Sequence, residues 1–139
     1  MTIVTVEETI AANANDVFKT LGDFGRIKVG GAITAFELEG EGVGAVRTIT
    51  MGGGQVIERL DEHDSEKLVF GYSILNEDNP LPVSNYSSHV EITANGEDAC
   101  TVNWSGTFEP KGADEAVASK VIRGIYTGGI ATTRKALGC

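Results

Sequence analysis

The chain has 139 residues, a formal net charge of -9 and a pI near 4.6. That length suits one domain, residues 1–139, with a real core, and is short for two. The acidic balance argues against polyanions, so nucleic acid and anionic membrane surfaces are not expected partners.

Ile3 to Ile10 alternates with period two and predicts a first strand at an edge or seam, with Val4 and Val6 on one face and Ile3, Thr5 and Glu7 on the other. The opening MTIVTVEETI has neither the basic start nor the apolar run of a signal peptide. Asn13 or Asn15 caps a short helix through Leu21, whose Ala14, Val17, Phe18 and Leu21 share a face and whose stop is Gly22. Asp23-Phe24-Gly25 predicts a second short helical turn reaching toward Lys28, broken by Gly30-Gly31.

Ile33 to Glu39, Ala45 to Met51 and Gln55 to Asp61 predict strands two to four. The glycines at 40, 42 and 44 lie between two strands, whereas a phosphate-cradling loop needs a helix after it, so they read as a turn with a bulge. Gly52-Gly53 joins strands three and four as a two-residue hairpin turn. That turn sets Met51 opposite Gly54, Ile49 opposite Val56, Arg47 opposite Glu58 and Ala45 opposite Leu60, all on one face because side chains alternate. The other face, with Val46, Thr48 and Thr50 against Arg59, Ile57 and Gln55, is the more polar one. An arginine and a glutamate therefore meet on the apolar side, where desolvation costs several kcal/mol per ion. A partly wet cavity behind the sheet accounts for them.

After a polar turn from Asp61 to Lys67, Leu68 to Leu75 predicts a fifth strand with Leu68, Phe70, Tyr72 and Ile74 on one face. NEDNPLPVSN, 76 to 85, carries two prolines and no periodicity, and is long enough for a lid over a cavity. Tyr86 to Thr93 predicts a sixth strand with Tyr86, Ser88, Val90 and Ile92 on one face and Ser87, His89 and Glu91 on the other. Ala99 to Phe108 predicts a seventh, in which Trp104 shares a face with Val102 and Phe108, opposite Asn103, Ser105 and Thr107. From Asp114 to Leu137 the pattern is one helix, roughly 35 Å long. Val117, Val121 and Ile125 step along it by four, and Gly124, Gly128 and Gly129 interrupt it at about 1 kcal/mol each. Cys100, inside a strand, and Cys139, the last residue, support no disulfide framework, which makes a reducing cytoplasm the expected setting. No Cys/His spacing suggests a metal, and no motif suggests a cofactor, so neither is expected. The order of elements predicts an α+β domain, an antiparallel sheet curled around one helix.

DFG at 23 to 25, GEGVGAVRT at 40 to 48, ERLD at 58 to 61, YSIL at 72 to 75, SNYSS at 84 to 88 and FEPKG at 108 to 112 accompany this order. Together they resemble the polyketide cyclase/dehydrase and lipid-transport family of the helix-grip superfamily, with START domains, birch-pollen-type allergens and abscisic-acid receptors. The resemblance covers nearly the whole chain. It implies a START/Bet v 1-like fold with a seven-stranded sheet, two short helices between strands 1 and 2, and a deep cavity under the long helix. Compared with the abscisic-acid receptors, Arg47 and Glu58 fall where those receptors also place an arginine and a glutamate, and Tyr72, Ile74, Tyr86 and Ser88 fall at pocket-lining positions. The same comparison puts Ser105 inside where apolarity puts Trp104, and the parity of that strand stays open. The minimal Gly52-Gly53-Gly54 turn replaces the receptors' gate loop, and no lysine on strand two awaits a carboxylate, which argues against a hormone receptor.

As chemistry, Arg47 can hold a carbonyl or enolate oxygen while Glu58 moves a proton, the two needs of aldol cyclisation and dehydration. As structure, the pair simply fixes the hairpin. Tyr72 and Tyr86 can protonate or bind a substrate oxygen, and Ser88 can anchor a ligand but has no histidine partner to make it a nucleophile. Ile49, Val56, Phe70 and Ile74 are expected walls of the cavity, joined by Val90, Trp104 and Ile125. His63 in a turn and His89 on the outer face read as solvated. The expected partner is a small hydrophobic, aromatic or polyketide-like molecule, with a non-catalytic carrier or sensor as the alternative. No membrane insertion is expected, and a homodimer stays open.

Overall fold

The computed structural model describes residues 1–27 and 29–139. Its elements are β1 (Thr2–Ile10), α1 (Ala14–Leu21), β2 (Ile33–Glu39), β3 (Val46–Met51), β4 (Gly54–Asp64), β5 (Val69–Ile74), β6 (Val83–Ala94), β7 (Cys100–Pro110) and α2 (Glu115–Leu137). The strands form one antiparallel sheet in the order β1-β7-β6-β5-β4-β3-β2, so β1 and β2 are its edges. Alternation sorts the side chains: along β6, Tyr86, Ser88, Val90 and Ile92 are buried while Ser87, His89 and Glu91 are exposed. The β3–β4 hairpin has the expected register, with Arg47 across from Glu58 and Ile49 across from Val56. Its turn uses positive φ at Gly53 (96°) and Gly54 (155°). β4 runs on to Asp64 because a bulge between Leu60 and Glu62 lets the strand bend and keep pairing with β5 past the expected end.

Asn13 caps α1 by accepting the Asn15 amide at 2.9 Å, and Asp114 caps α2 by accepting the Val117 amide at 2.8 Å. Gly138 closes α2 in the left-handed conformation, φ 74°, its amide bonded to the Arg134 and Lys135 carbonyls.

Only one short helix, α1, stands between β1 and β2 among the described residues. The expected second helix is instead a single turn: the Arg26 amide bonds the Asp23 carbonyl at 3.0 Å and the Gly25 amide bonds Asp23 Oδ1 at 3.1 Å. The aspartate side chain competes for the backbone amide, which favours a turn over helix propagation. The far end of that prediction, Lys28, lies outside the described residues.

α2 lies over β1, β7 and α1, not over the hairpin side of the sheet. Its buried stripe is Ala118, Ile122, Tyr126, Ile130 and Thr133. Val117, Val121 and Ile125 are exposed by 51%, 36% and 41%, so the stripe that steps by four is not the one packed on the sheet. The 76–82 loop is also pinned. Asn79 is buried, bonding the Asn76 carbonyl and the Leu81 amide, and Lys111 Nζ donates to the Glu77 and Asn79 carbonyls. No helix among the described residues is long and apolar enough to cross a membrane.

A candidate ligand cavity between the sheet and helix α2

Because α2 covers only one side of the sheet, a cavity of about 570 Å³ remains between it and β3, β4 and β5. Arg47, Ile49 and Met51 project into it from β3, Val56 and Glu58 from β4, and Phe70 and Tyr72 from β5. Val121, Ile125 and Gly129 face them from α2, Trp104 from β7 and Leu81 from the 76–82 loop. Eight expected site residues thus come together: Arg47, Glu58, Tyr72, Ile49, Val56, Phe70, Trp104 and Ile125.

Four do not line it. Val90 is fully buried between Phe70 and Trp104 in the sheet, and Ile74 sits across from Glu58 at the end of β5. Ser88 lies next to Tyr72, its Oγ buried without a partner among the described residues. Tyr86 gives its hydroxyl to a 2.5 Å hydrogen bond with Tyr126 instead of to the cavity. All four lie on the expected face; the cavity is narrower than that face.

Arg47 is the most connected side chain in the cavity. Its Nε donates to Glu58 Oε1 at 2.7 Å, and its Nη1 donates to the Phe24 carbonyl at 3.1 Å. The guanidinium carbon lies 4.1 Å from the centre of the Phe24 ring and 5.2 Å from that of Tyr72, within cation–π range of both. With side chains 12% and 9% exposed, the ion pair is largely withdrawn from water. A guanidinium has five N–H donors and a carboxylate accepts at both oxygens. The two bonds above leave donors on Arg47 and all of Glu58 Oε2 without a partner among the described residues.

Burial pushes the Tyr72 phenol above its ordinary value of 10, and the charge of Glu58 adds to the push. Tyr86 is raised well above that value by burial and by its two tyrosine neighbours, and Tyr126 is raised mainly by burial. Tyr72 therefore stays a neutral hydrogen-bond donor at the cavity wall. Trp104 faces inward, which decides the parity of β7: its indole stacks on Tyr126 at 4.4 Å and 14°. Its Nε1 is buried with no partner among the described residues. No group of three or more His, Cys, Asp and Glu side chains suited to a metal occurs among the described residues.

The family model for polyketide cyclase/dehydrase and lipid transport matches residues 1–138. The chain belongs to that family. Among solved structures similar to it, a protein from Bacillus thuringiensis is 28% identical, covering 97% of this chain and 98% of its own, with a TM-score of 0.81. XoxI from Bacillus cereus is 29% identical, covering 98% and 95%, with a TM-score of 0.82. Norcoclaurine synthase from Thalictrum flavum, solved in complex with dopamine and hydroxybenzaldehyde, is 19% identical over 98% and 85% with a TM-score of 0.72, a likeness of fold. No curated protein matches the chain.

In this member of the polyketide cyclase/dehydrase and lipid transport family, two contributors escaped the sequence reading. Phe24 was assigned to a helical turn, yet it is buried and touches Arg47 through both ring and carbonyl. A lone aromatic between Asp23 and Gly25, Arg26 was the available signal. Tyr126, fully buried and joined to Tyr86 and Trp104, was hidden by the neighbouring Val121 and Ile125 stripe.

Proposed function

We propose that the cavity binds a small, largely apolar molecule, aromatic or polyketide-like, with an oxygen on Arg47, and that the Arg47–Glu58 pair cyclises or dehydrates it without a cofactor. The observation that carries this reading is a charged pair on an apolar cavity wall that still has donors and a carboxylate oxygen to offer. Neither Arg47 nor Glu58 is among the described residues with a buried, unpartnered side-chain atom, so the unused donors and Oε2 open onto the cavity, where a ligand oxygen can meet them. The family's description supports both ligand binding and this reaction class. Norcoclaurine synthase in complex with dopamine and hydroxybenzaldehyde supports aromatic occupants for the fold.

In the proposed dehydration, Glu58 takes the proton from the carbon next to a carbonyl, and Arg47 carries the negative charge that develops on the carbonyl oxygen. Glu58 then returns the proton to the hydroxyl on the adjoining carbon. The C–O bond breaks, water leaves, and a carbon–carbon double bond remains. Tyr72, neutral and beside Arg47, adds a donor to the same oxygen. The carrier reading is favoured by one observation: Glu58 Oε1 already bonds Arg47 at 2.7 Å, so one of its two oxygens is engaged by the protein itself.

Native mass spectrometry of the protein incubated with a metabolite extract of its host, profiled before and after, separates the two. A consumed metabolite with a product isomeric with it or lighter by one water is the expected result. Arg47→Ala then lowers turnover by about a hundredfold or more, the cost of losing an oxyanion donor, while circular dichroism shows the fold retained. A bound molecule of unchanged mass with an unchanged extract, or full turnover by Arg47→Ala, would sink the catalytic reading.

A further inference from the structure

A second groove, of about 470 Å³, opens beside the cavity; Phe18 of α1, Leu38 of β2, Ala45 and Leu60 form its apolar lining, and polar residues including Lys19, Glu41 and His63 line the rest. Gly22, Asp23 and Phe24 line both spaces. Of these three, only Phe24 has an apolar side chain large enough to close a passage between them. It is held there firmly. The residue is 8% exposed, its ring lies against the Arg47 guanidinium at 4.1 Å, and its carbonyl accepts from Arg47 at 3.1 Å. Beside it, a Cβ on Gly25 would stand 3.0 Å from Cδ2 of the partly exposed Leu38.

We infer that Phe24 is a specificity-determining partition, dividing one elongated binding space into two compartments with the Arg47–Glu58 pair at the joint. This rests on the reading of that pair as the site for the ligand's oxygen. The position of the joint dictates ligand shape. A molecule confined to the cavity holds its oxygen near one end, with its apolar body on one side only. A molecule that fills both compartments carries its oxygen part-way along, with apolar chain on either side. Each space alone falls within the size range of ordinary ligand sites, so the side chain at position 24 decides between two ligand classes.

Isomeric ketones isolate this effect, because moving a carbonyl along a chain leaves formula and apolar area almost unchanged. A long-chain methyl ketone and its isomer with the carbonyl at the centre are titrated by calorimetry and by displacement of a bound apolar dye. The wild type is expected to bind the methyl ketone more tightly. Phe24→Ala shifts the preference toward the central ketone by about tenfold or more, because each methylene that leaves water for apolar space is worth roughly fourfold; loss of the ring from the Arg47 guanidinium weakens both ketones alike and cancels in that ratio. Leu38→Trp, added to Phe24→Ala, refills the groove and removes the gain. Phe24→Leu keeps an apolar side chain on Arg47 and gives a smaller gain, and it carries the comparison if the alanine variant does not fold. An isomer preference identical in wild type and in the folded variants overturns the partition and leaves the oxygen site standing. No binding of either ketone by any of these proteins overturns the oxygen site, and the partition with it.

Discussion

A Cβ placed on Gly129 would stand 2.9 Å from Trp104 Cζ3, whereas one on Gly124 or Gly128 of the same helix meets nothing within 4 Å. Gly129→Ala is therefore expected to destabilise by about 1–3 kcal/mol through overpacking. Gly124→Ala and Gly128→Ala each stabilise by about 0.5–1 kcal/mol, the intrinsic helical penalty of glycine. Urea denaturation of the three variants reads the signs directly; a uniform sign would refute the geometry of α2 against Trp104. Gly106 makes room of another kind, since its Cβ would lie 2.0 Å from Tyr126 Oη, where the Tyr86 bond is made. The tyrosines also make a pH prediction. Tyr72, Tyr86 and Tyr126 are the only three in the chain, and burial raises all of them above the ordinary value of 10. The folded state then holds these protons more tightly than the unfolded chain does. Its stability is complete below the ordinary phenol value and falls as pH climbs from there toward the raised values. Phenolate absorbance is expected to emerge together with the loss of circular dichroism, as one cooperative transition; absorbance rising while the fold persists would contradict the burial.

At the scale of elements, the β3–β4 hairpin ties the site to the fold, and its ion pair is open to a direct stability test. Arg47→Met alone leaves the withdrawn Glu58 charge without its guanidinium and is expected to cost about 3 kcal/mol. Glu58→Leu costs less because Arg47 keeps the Phe24 carbonyl, and the double variant returns to at least wild-type stability. Thermal melts of the four proteins check this. A double variant as unstable as the singles would mean the pair stabilises the fold, which undercuts its functional reading. This hairpin was the most legible part of the chain, because a Gly-Gly turn between two alternating strands leaves a single register. The face it presents, with Arg47, Ile49, Val56 and Glu58, followed from the same parity. α2 was legible as a helix and illegible as a surface: Val121 and Ile125 look like a core stripe because they are apolar, but they face the cavity while the stripe of Tyr126 packs on β1 and β7. Periodicity records which side chains avoid water without recording whether protein or ligand covers them. For the same reason Ile74, Tyr86, Ser88 and Val90 share the expected face of the sheet and yet lie outside the cavity lining. Phe24 was missed because its role comes from a guanidinium 23 residues away in sequence, which no local pattern carries.

Across the whole molecule, the cavity exists because α2 packs most closely on β1 and β7 and only reaches toward the hairpin side of the sheet with Val121, Ile125 and Gly129. The turn at 23–25 and the 76–82 loop also line the space. That loop, whose length suggests a lid, is tied down by Lys111 and Asn79, and its Pro80 approaches the hairpin tip at Gly53 and Gly54. On the α2 side of the cavity, Val121 and Ile125 are partly exposed. The placement of Trp104 adds an optical consequence. It is the only tryptophan in the chain, lies on the cavity wall and stacks on Tyr126. Indole emission shifts in colour and intensity with the polarity around the ring, so an arriving molecule changes the protein's own fluorescence with no label attached. Occupancy of the cavity is thus written in the light emitted by one residue, and a stopped-flow trace of that light follows filling and emptying in real time.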